Sequence, residues 1–361
     1  MSDEMTLSVP GAGLRIDPRL GMLTALWFET DGRRIAPLHQ APWLDEPAVQ
    51  VDAALPLVER RLAGDFLCAP FAMHGVASLP IHGWPANSPW EVEEITQTGK
   101  GGLARLSLLR PVQGARLTKV VELAAHDPLV YQTHDLAGGD GPLTLAHHPM
   151  VRMAGRGWMS YSPKRLAQTP AQPPEPGGGW LTYPASSTDL TAFPGRDGPV
   201  DLTRYPQTRG HEDFVTLIEA PGSKLGWTVV IREDEDDLVL FLKDPAVLPV
   251  TMLWFSNGGR SHAPWNGRHT GVLGIEDGCA AGLASLAAAA APNPVSETGV
   301  ATVLHLAEGQ RHRVRHVIGA VPRPTGWQQV RSVQIDGASL VMTELSGDRV
   351  VLGYRRGFFG R

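Results

Sequence analysis

Short strand-like runs separated by Gly, Pro, Asp or Asn make up most of this sequence. In residues 117–123 and 312–318 apolar and polar side chains alternate, which places one face of a strand on a core and the other toward water. Repeated short strands with turn residues between them are typical of an antiparallel β-sandwich or a barrel. The ten predicted strands are 23–28, 104–109, 116–123, 129–135, 214–219, 227–231, 238–243, 251–256, 301–306 and 312–318.

The composition favours the same all-β class over a helical one. Gly and Pro contribute 40 and 31 of the 361 residues, whereas the two together average about 12% of a chain. Ten Trp residues and many apolar runs distinguish the sequence from disordered chains. Only residues 277–291 have helical propensity, and Pro292-Asn-Pro294 ends that segment. We therefore predict a compact, turn-rich protein with a helix only in that segment.

Charge and cysteine usage exclude several classes of partner. The net charge of −5 and the lack of a Lys/Arg cluster argue against nucleic acid, since phosphate binding needs a concentrated basic face. Two cysteines, Cys68 and Cys279, cannot build a disulfide scaffold and are expected as buried free thiols. No signal-peptide pattern occurs, and no run reaches the roughly 20 apolar residues that span a bilayer. We expect a cytoplasmic protein without a membrane partner, and the oligomeric state stays open, including a homodimer.

One long segment, residues 162–208, departs from the strand pattern because it contains many Pro and Gly residues. A loop of this length inside a compact domain is usually functional or a linker. A linker would divide the chain into two halves near Pro170. The strand pattern resumes after the segment without a change in composition. We therefore predict a single domain over residues 1–361 in which this excursion covers a binding face.

Three strand ends carry side chains suited to acid–base chemistry, and histidine, which titrates near neutral pH, stands at two of them. His82 precedes Gly83, which lets the backbone turn sharply and leaves the imidazole on a loop. An apolar strand ends in His147 and His148, and because adjacent strand residues face opposite sides, one of the two is expected in a cleft. Glu276 ends another apolar strand, where partial desolvation raises a carboxyl pKa and makes the group a usable base.

Four short motifs occur in a fixed order along the chain. Ala69-Pro-Phe71 is followed by Pro80-Ile-His-Gly-Trp-Pro-Ala-Asn-Ser-Pro-Trp-Glu-Val92, then by His148-Pro149 and Gly274-Ile-Glu276. In this order and spacing the motifs resemble those of the aldose 1-epimerases, the galactose mutarotase-like proteins, and most closely the branch related to hexose-6-phosphate mutarotases. The resemblance extends over most of the chain. It implies a large antiparallel β-sandwich, the galactose mutarotase-like supersandwich, with a concave sugar-binding cleft.

The resemblance also implies roles for three residues in interconverting the α and β anomers of a sugar. Glu276 is the base that takes the proton from the anomeric hydroxyl. His148 is the acid that protonates the ring oxygen, and His82 is a second imidazole that binds and orients near that oxygen. Opening a hemiacetal needs one proton removed and one delivered, so a carboxylate and an imidazole suffice. Neither a metal nor an organic cofactor is expected.

Four further residues are candidates for holding the sugar. His74 stands where other branches of the family carry an arginine, and is a hydrogen-bond donor or a structural loop histidine. Asp213 precedes a strand where the family places a residue that grips sugar hydroxyls, or is a solvated turn carboxylate. Trp84 and Trp254 offer apolar platforms to a sugar face, or pack in the core. Because Pro85-Ala86 replaces the Ala-Arg of the phosphosugar branch, an unphosphorylated sugar is favoured.

Two other functions fit parts of the pattern. A non-catalytic carbohydrate-binding β-sandwich would keep the cleft without turnover. The absent arginines favour that alternative, whereas the two imidazoles and the carboxylate favour the enzyme. A cupin-like metalloenzyme would need His-x-His followed closely by Glu, which the adjacent pair His147 and His148 does not provide. The mutarotase-like enzyme is the leading prediction.

Overall fold

The computed structural model describes residues 4–71, 79–205 and 208–360, and antiparallel strands dominate this part of the chain. Within these ranges the α-helices are α1 (Pro47–Val51), α2 (Leu57–Arg60) and α3 (Leu286–Ala290). The strands are β1 (Met5–Val9), β2 (Ala12–Asp17), β3 (Met22–Thr30), β4 (Arg33–Ile35), β5 (Leu67–Cys68), β6 (Trp90–Gln97), β7 (Gly101–Leu108), β8 (Ala115–Ala124), β9 (Leu129–Gly138), β10 (Gly141–Leu143), β11 (Leu145–His147), β12 (Met150–Arg152), β13 (Gly157–Tyr161), β14 (Lys164–Gln168), β15 (Ser186–Ser187), β16 (Arg204–Tyr205), β17 (His211–Glu219), β18 (Gly226–Arg232), β19 (Asp237–Lys243), β20 (Val250–Asn257), β21 (Val272–Cys279), β22 (Leu304–Leu306), β23 (Arg311–Pro322), β24 (Val330–Asp336), β25 (Ser339–Glu344) and β26 (Arg349–Gly353).

Two large antiparallel sheets organise the fold. The nine-stranded sheet has the order β16-β13-β18-β19-β23-β9-β8-β7-β6. The eight-stranded sheet has the order β15-β14-β17-β20-β21-β11-β5, with β12 also paired to β21. Smaller sheets are formed by β1 to β4, by β10 with β22, and by β24 to β26. The strands of each large sheet come from distant parts of the sequence, so the sheets gather residues that lie far apart in the chain.

The main core lies between the two large sheets. Leu253, Phe255 and Ile275 of the eight-stranded sheet join Val239 and Phe241 of the nine-stranded sheet in one fully buried cluster. Each such side chain contributes about 1.5–3 kcal/mol when it leaves water. Burial of these apolar side chains therefore helps to hold the two sheets together.

Both large sheets are also covered on their outer faces. On the eight-stranded sheet, Met252 and Trp254 pack with Trp43 and Phe66 in a second buried cluster. On the nine-stranded sheet, a third cluster joins β18 and β19 to the sheet of β24 to β26. Because apolar groups cover both of their faces, β17, β20 and β21 are buried along their whole length.

The all-β prediction is confirmed, and each of the ten predicted strands overlaps a strand of the structure. The helix prediction for residues 277–291 is wrong in its first part. Strand β21 continues to Cys279 because its residues pair with β20 and β11, so tertiary pairing overrides the local preference. Helix α3 begins only after Ser285, whose side chain accepts a hydrogen bond from the Ala288 amide.

One smaller expectation is met among the described residues. Cys68 and Cys279 are buried free thiols. In this part of the chain, every helix is too short to cross a lipid bilayer.

The segment of residues 64–66 depends on a glycine. Gly64 has a φ of +56°, and a Cβ placed there would lie 1.6 Å from the Leu23 carbonyl oxygen. Backbone hydrogen bonds fix this segment on two sides. The Asp65 amide and carbonyl pair with Leu23, and the Met150 amide donates to the Gly64 carbonyl. A side chain at position 64 therefore cannot be accommodated unless the backbone of Leu23 or of residue 64 moves.

We expect Gly64→Ala to lower the free energy of unfolding by about 3 kcal/mol or more, because left-handed strain adds to a backbone clash. Gly32→Ala is the matched control, since Gly32 has a φ of +73° and a Cβ added there would have nothing within 4 Å. The control should cost only the conformational strain of about 1 kcal/mol. Urea unfolding measures both, and equal losses would contradict the expectation.

Candidate active site

A cavity of about 330 Å³ opens on the outer face of the eight-stranded sheet, away from the main core. His148, Glu276 and Trp254 of this sheet lie in its wall. Helix α2 and the loops around it form another side. The excursion contributes Pro174 and Glu175, so part of it does lie over this cavity.

Two neighbouring strands bring His148 and Glu276 together. His148 directly follows β11, and Glu276 lies within β21. Strand β12, which begins after Pro149, pairs with β21 so that Met150 is opposite Gly274, and the Ile275 amide donates to the Pro149 carbonyl at 3.0 Å. A Cβ on Gly274 would stand 3.0 Å from the Glu276 carboxylate, so the glycine leaves room for that side chain.

The two side chains form a buried acid–base pair. His148 Nε2 lies 3.2 Å from Glu276 Oε1, and both residues are at most 4% exposed. Phe66 stacks on the imidazole with ring centroids 4.6 Å apart. Burial raises the pKa of Glu276 well above its usual range, against the nearby charge of Arg260, which lowers it. Burial likewise lowers the pKa of His148 to about 4. The pair therefore holds one proton between a carboxyl and an imidazole.

His82 completes the group of predicted catalytic residues in the cavity. Its ring is 5.2 Å from that of His148, edge to face. Its backbone φ of +64° is uncommon for a residue other than glycine, a form of strain that clusters at functional sites. The next residue, Gly83, admits no Cβ, since one would lie 2.1 Å from the Ala69 carbonyl oxygen. Burial lowers the pKa of His82, so the ring is neutral at physiological pH.

The structure adds an arginine that the sequence motifs did not reveal. Arg260 lies in the loop after β20 and lines the cavity. Its Nε is 3.0 Å from Glu212 Oε1 and 3.5 Å from Glu175 Oε1. Its guanidinium also lies 4.3 Å from the centre of the Trp265 ring. The only signal in the sequence is a Gly-Gly pair before Arg260 at the end of a strand, and nothing there links it to His148.

Glu212, which contacts two residues of the cavity wall, is a second residue that the sequence analysis missed. It accepts hydrogen bonds from Trp254 Nε1 at 2.6 Å and Ser256 Oγ at 3.0 Å. Burial raises its pKa to about 7, against the opposing effect of Arg260. Glu212 thus supports both the Trp254 ring and the guanidinium at the cavity wall.

The assignment of Asp213 to sugar binding is not supported by its position, because the strand pleat points it away from the cavity. Asp213 pairs with Phe255, whose ring is in the main core, whereas Glu212 one residue earlier pairs with Ser256 on the cavity side. The Asp213 carboxylate accepts hydrogen bonds from the Leu181 amide at 3.1 Å and from the Tyr183 hydroxyl at 3.0 Å. It holds the excursion to the sheet.

The two tryptophans that were predicted as sugar platforms lie in different parts of the structure. Trp254 lines the cavity, edge to face with His148 at 5.4 Å. Trp84 instead packs against the main core, with the Arg110 guanidinium 4.3 Å from its ring centre, so the core alternative holds for it. His74 lies outside the described residues.

One cluster of described residues has the composition of a metal site. Asp65, His147 and His316 each bring a ligand atom within 4.8 Å of the others. The two imidazoles stack nearly parallel, with centroids 4.3 Å apart and 17° between the ring planes, so their lone pairs do not converge on one point. The Lys119 ammonium also acts on Asp65. This arrangement fits a chain of hydrogen bonds better than a coordination shell.

Solved structures share this architecture. A candidate aldose 1-epimerase from Escherichia coli K12 superposes with a TM-score of 0.59 at 13% identity, over 88% of this chain and 99% of that protein. A candidate mutarotase from Salmonella typhimurium gives 0.58 at 12% identity, over 90% and 92%. A galactose mutarotase related enzyme from Lactobacillus acidophilus gives 0.56 at 11% identity, over 89% and 98%. No family model and no curated protein matches the sequence.

These likenesses define the fold class. The chain has the galactose mutarotase-like β-sandwich fold, as the order of its motifs implied. At these identities the shared feature is the fold, and the chemistry of the cavity has to be argued from its own residues.

The raised pKa of Glu212 predicts a stability difference that depends on pH. Because burial raises the pKa of Glu212 from 4.5 to about 7 in the folded protein, Glu212 costs nothing below about pH 4.5, destabilises the protein progressively as pH rises from 4.5 to 7, and has a constant cost above pH 7. In the Glu212→Gln variant, the side chain at this position cannot ionise. Relative to wild type, the variant should therefore gain about 2.5 kcal/mol in unfolding free energy between pH 5 and pH 8.

Urea unfolding at several pH values measures this difference. Glu29→Gln, at an exposed position of β3, is the matched control. A difference between Glu212→Gln and wild type that stays constant from pH 5 to pH 8 would show that Glu212 keeps its ordinary acidity in the folded protein.

Proposed function

We propose that this protein is an aldose 1-epimerase-like isomerase that interconverts the α and β anomers of a sugar. The observation that carries the proposal is the contact of 3.2 Å between His148 Nε2 and Glu276 Oε1 in the wall of a cavity. An acid and a base that share one proton on one side of a cavity are the groups that ring opening requires. The fold, which is that of mutarotase-like proteins, supports the same reaction.

The reaction moves one proton in each direction. The Glu276 carboxylate takes the proton of the anomeric hydroxyl, the C1–O1 bond becomes a carbonyl, and the C1–O5 bond breaks. The ring oxygen O5 takes the proton of the His148 imidazolium. Rotation about C1–C2 presents the other face of the carbonyl. Ring closure then reverses both transfers, so the two groups return to their starting states.

The reactive form of the pair is the carboxylate with the imidazolium, and two neighbouring charges favour it. Arg260 lowers the pKa of Glu276, although it lowers the pKa of His148 as well, and Asp65 raises the pKa of His148. The effect of Arg260 on Glu276 and that of Asp65 on His148 oppose desolvation, which favours the uncharged form. A sugar that brings its hydroxyl groups into the cavity would replace part of the lost hydration and shift the pair further toward the ionised form.

The charges around the cavity favour an uncharged sugar. The one arginine among the described residues of its wall, Arg260, is already paired with Glu212 and Glu175. Glu59 is a further acidic group in the wall. Among the described residues of the wall, a phosphate or carboxylate on the sugar would therefore meet acidic groups and no unpaired arginine or lysine. The volume is at the lower end of the range for small-molecule sites, which favours a monosaccharide, with Trp254 as its apolar platform.

Substitution of the pair tests the mechanism. Glu276→Gln should abolish mutarotation with the fold intact, because it removes the base and preserves size. His148→Asn should lower the rate at least about 10²-fold, the range for a general acid. His126→Asn is the matched control, since His126 is exposed and has a left-handed φ that Asn tolerates. Polarimetry on freshly dissolved α-glucose and α-galactose measures all three, and full activity in Glu276→Gln would remove Glu276 from the mechanism.

A sugar panel tests the substrate class. Neutral aldoses should equilibrate faster with the protein than without it, and the corresponding 6-phosphates should respond at least about tenfold less, because like charges within one site repel. Saturation-transfer NMR measures the exchange of anomers directly. A preference for the 6-phosphates would refute the assignment of an uncharged substrate. If binding occurs but no sugar in the panel exchanges, the protein is a carbohydrate-binding β-sandwich instead.

A further inference from the structure

A buried chain of polar side chains lies between the two large sheets, directly behind His148 and Glu276. His147 at the end of β11 precedes His148, and Asp277 of β21 follows Glu276. The pleat of these two neighbouring strands sends His147 and Asp277 to the face opposite the cavity. The His147 ring stacks on His316 of β23 at 4.3 Å, and His316 Nε2 lies 3.0 Å from Asp277 Oδ2. Through His316 of the nine-stranded sheet, these side chains connect β11, which precedes His148, with β21, which carries Glu276.

Asp65 is the member of this chain that touches His148 itself. Its side chain is fully buried. Oδ1 accepts a hydrogen bond from the His148 amide at 3.2 Å, while Oδ2 accepts one from Gln132 Nε2 at 2.6 Å and lies 3.4 Å from His147 Nδ1. The backbone of Asp65 is fixed to Leu23 by two further hydrogen bonds. The His148 amide also donates to the Phe66 carbonyl, at 2.9 Å. The Asp65 carboxylate therefore shares this amide with the Phe66 backbone and reaches it from the core side, while the Phe66 ring stacks on the imidazole from the cavity side.

We propose that Asp65 is a positioning residue for His148: its buried carboxylate fixes the histidine backbone from behind and supplies a negative charge that favours the imidazolium over the neutral ring. The inference deepens the proposed function, on which its effect on catalysis rests. Asp65 does not line the cavity, so it acts through His148 and not on the sugar.

Several other charged or titratable groups face this pair from the elements packed around it. On the Asp65 side they are His147, His316 and Lys119. On the His148 side they are Glu276, His82, His269 and Arg260. Among the described groups, Asp65 supplies a buried negative charge on the core side of His148. Lys119 opposes this charge from the core side, and Arg260 opposes its effect on His148 from the cavity wall. Neutralising Asp65 should therefore lower the pH at which the His148–Glu276 pair loses its shared proton.

The test is a pH titration of the sugar-free protein by NMR with labelled histidine, where the His148 signal is identified by its loss in His148→Asn. In Asp65→Asn, the proton shared with Glu276 should be lost at a pH on the order of one unit lower than in wild type. In the enzyme assay the bell-shaped pH profile should shift the same way, with kcat at pH 7 reduced about tenfold and KM little changed.

Asp237→Asn is the matched control, because Asp237 is also a buried carboxylate in an ion pair, with Arg232, but lies away from the cavity. It should lose stability without a shift of the His148 titration. An Asp65→Asn titration that equals wild type, or moves upward, overturns the proposal. Because this titration uses no sugar, it remains decisive if the protein turns over no sugar at all.

A second variant covers the case in which Asp65→Asn does not fold. Lys119→Met removes the buried cation that acts on Asp65 and keeps the length of the side chain. It should move the loss of the shared proton to higher pH, the opposite direction from Asp65→Asn. A shift to lower pH, or none, in a folded Lys119→Met protein overturns the proposal as well.

Discussion

The pleat of the eight-stranded sheet is the constraint on which the site depends. Strands β20 and β21 are buried on both faces, so every polar side chain on them must be matched by a partner on the side to which it points. Glu276 faces the cavity and Asp277 faces the core. In the same way, Glu212 points to the cavity side of the sheet and Asp213 to the core side. Two polar layers result from one set of strands, a reactive one on the outside and a supporting one between the sheets.

Desolvation then sets the chemistry of the outer layer. In water, a carboxyl and an imidazole in contact would be an ordinary ion pair at neutral pH. In the cavity wall, burial favours the uncharged form of each group, and the opposing charges of Arg260 and Asp65 restore part of the ionised form. Desolvation is the largest of these effects, so the uncharged carboxyl and imidazole are favoured and the neighbouring charges reduce the free energy of reaching the ionised form.

The supporting layer explains why the fold tolerates so many buried charges. Arg232 with Asp237 and Lys243 with Asp277 are ion pairs with at most 3% of each side chain exposed, and Thr251 adds a hydrogen bond to Asp277. Removing one partner of such a pair leaves an uncompensated charge in the core, which is strongly destabilising. The layer therefore favours one register of the strands, because a slip by one residue would exchange the cavity and core sets.

The sequence by itself determined the class of fold, because alternation and turn residues are local signals. It also limited the acid–base candidates to a few strand and turn positions, with His147 and His148 both open, and the resemblance of the motif order to aldose 1-epimerases singled out His82, His148 and Glu276. Only the tertiary structure decided which member of a neighbouring pair faces the cavity: it selected Glu212 over Asp213 through the register with β20. It also brought in Arg260 from a loop and Asp65 from the core side. Local sequence patterns show that alternate residues of a strand face opposite sides. Which of the two sets faces the cavity is decided by the strands with which that strand pairs.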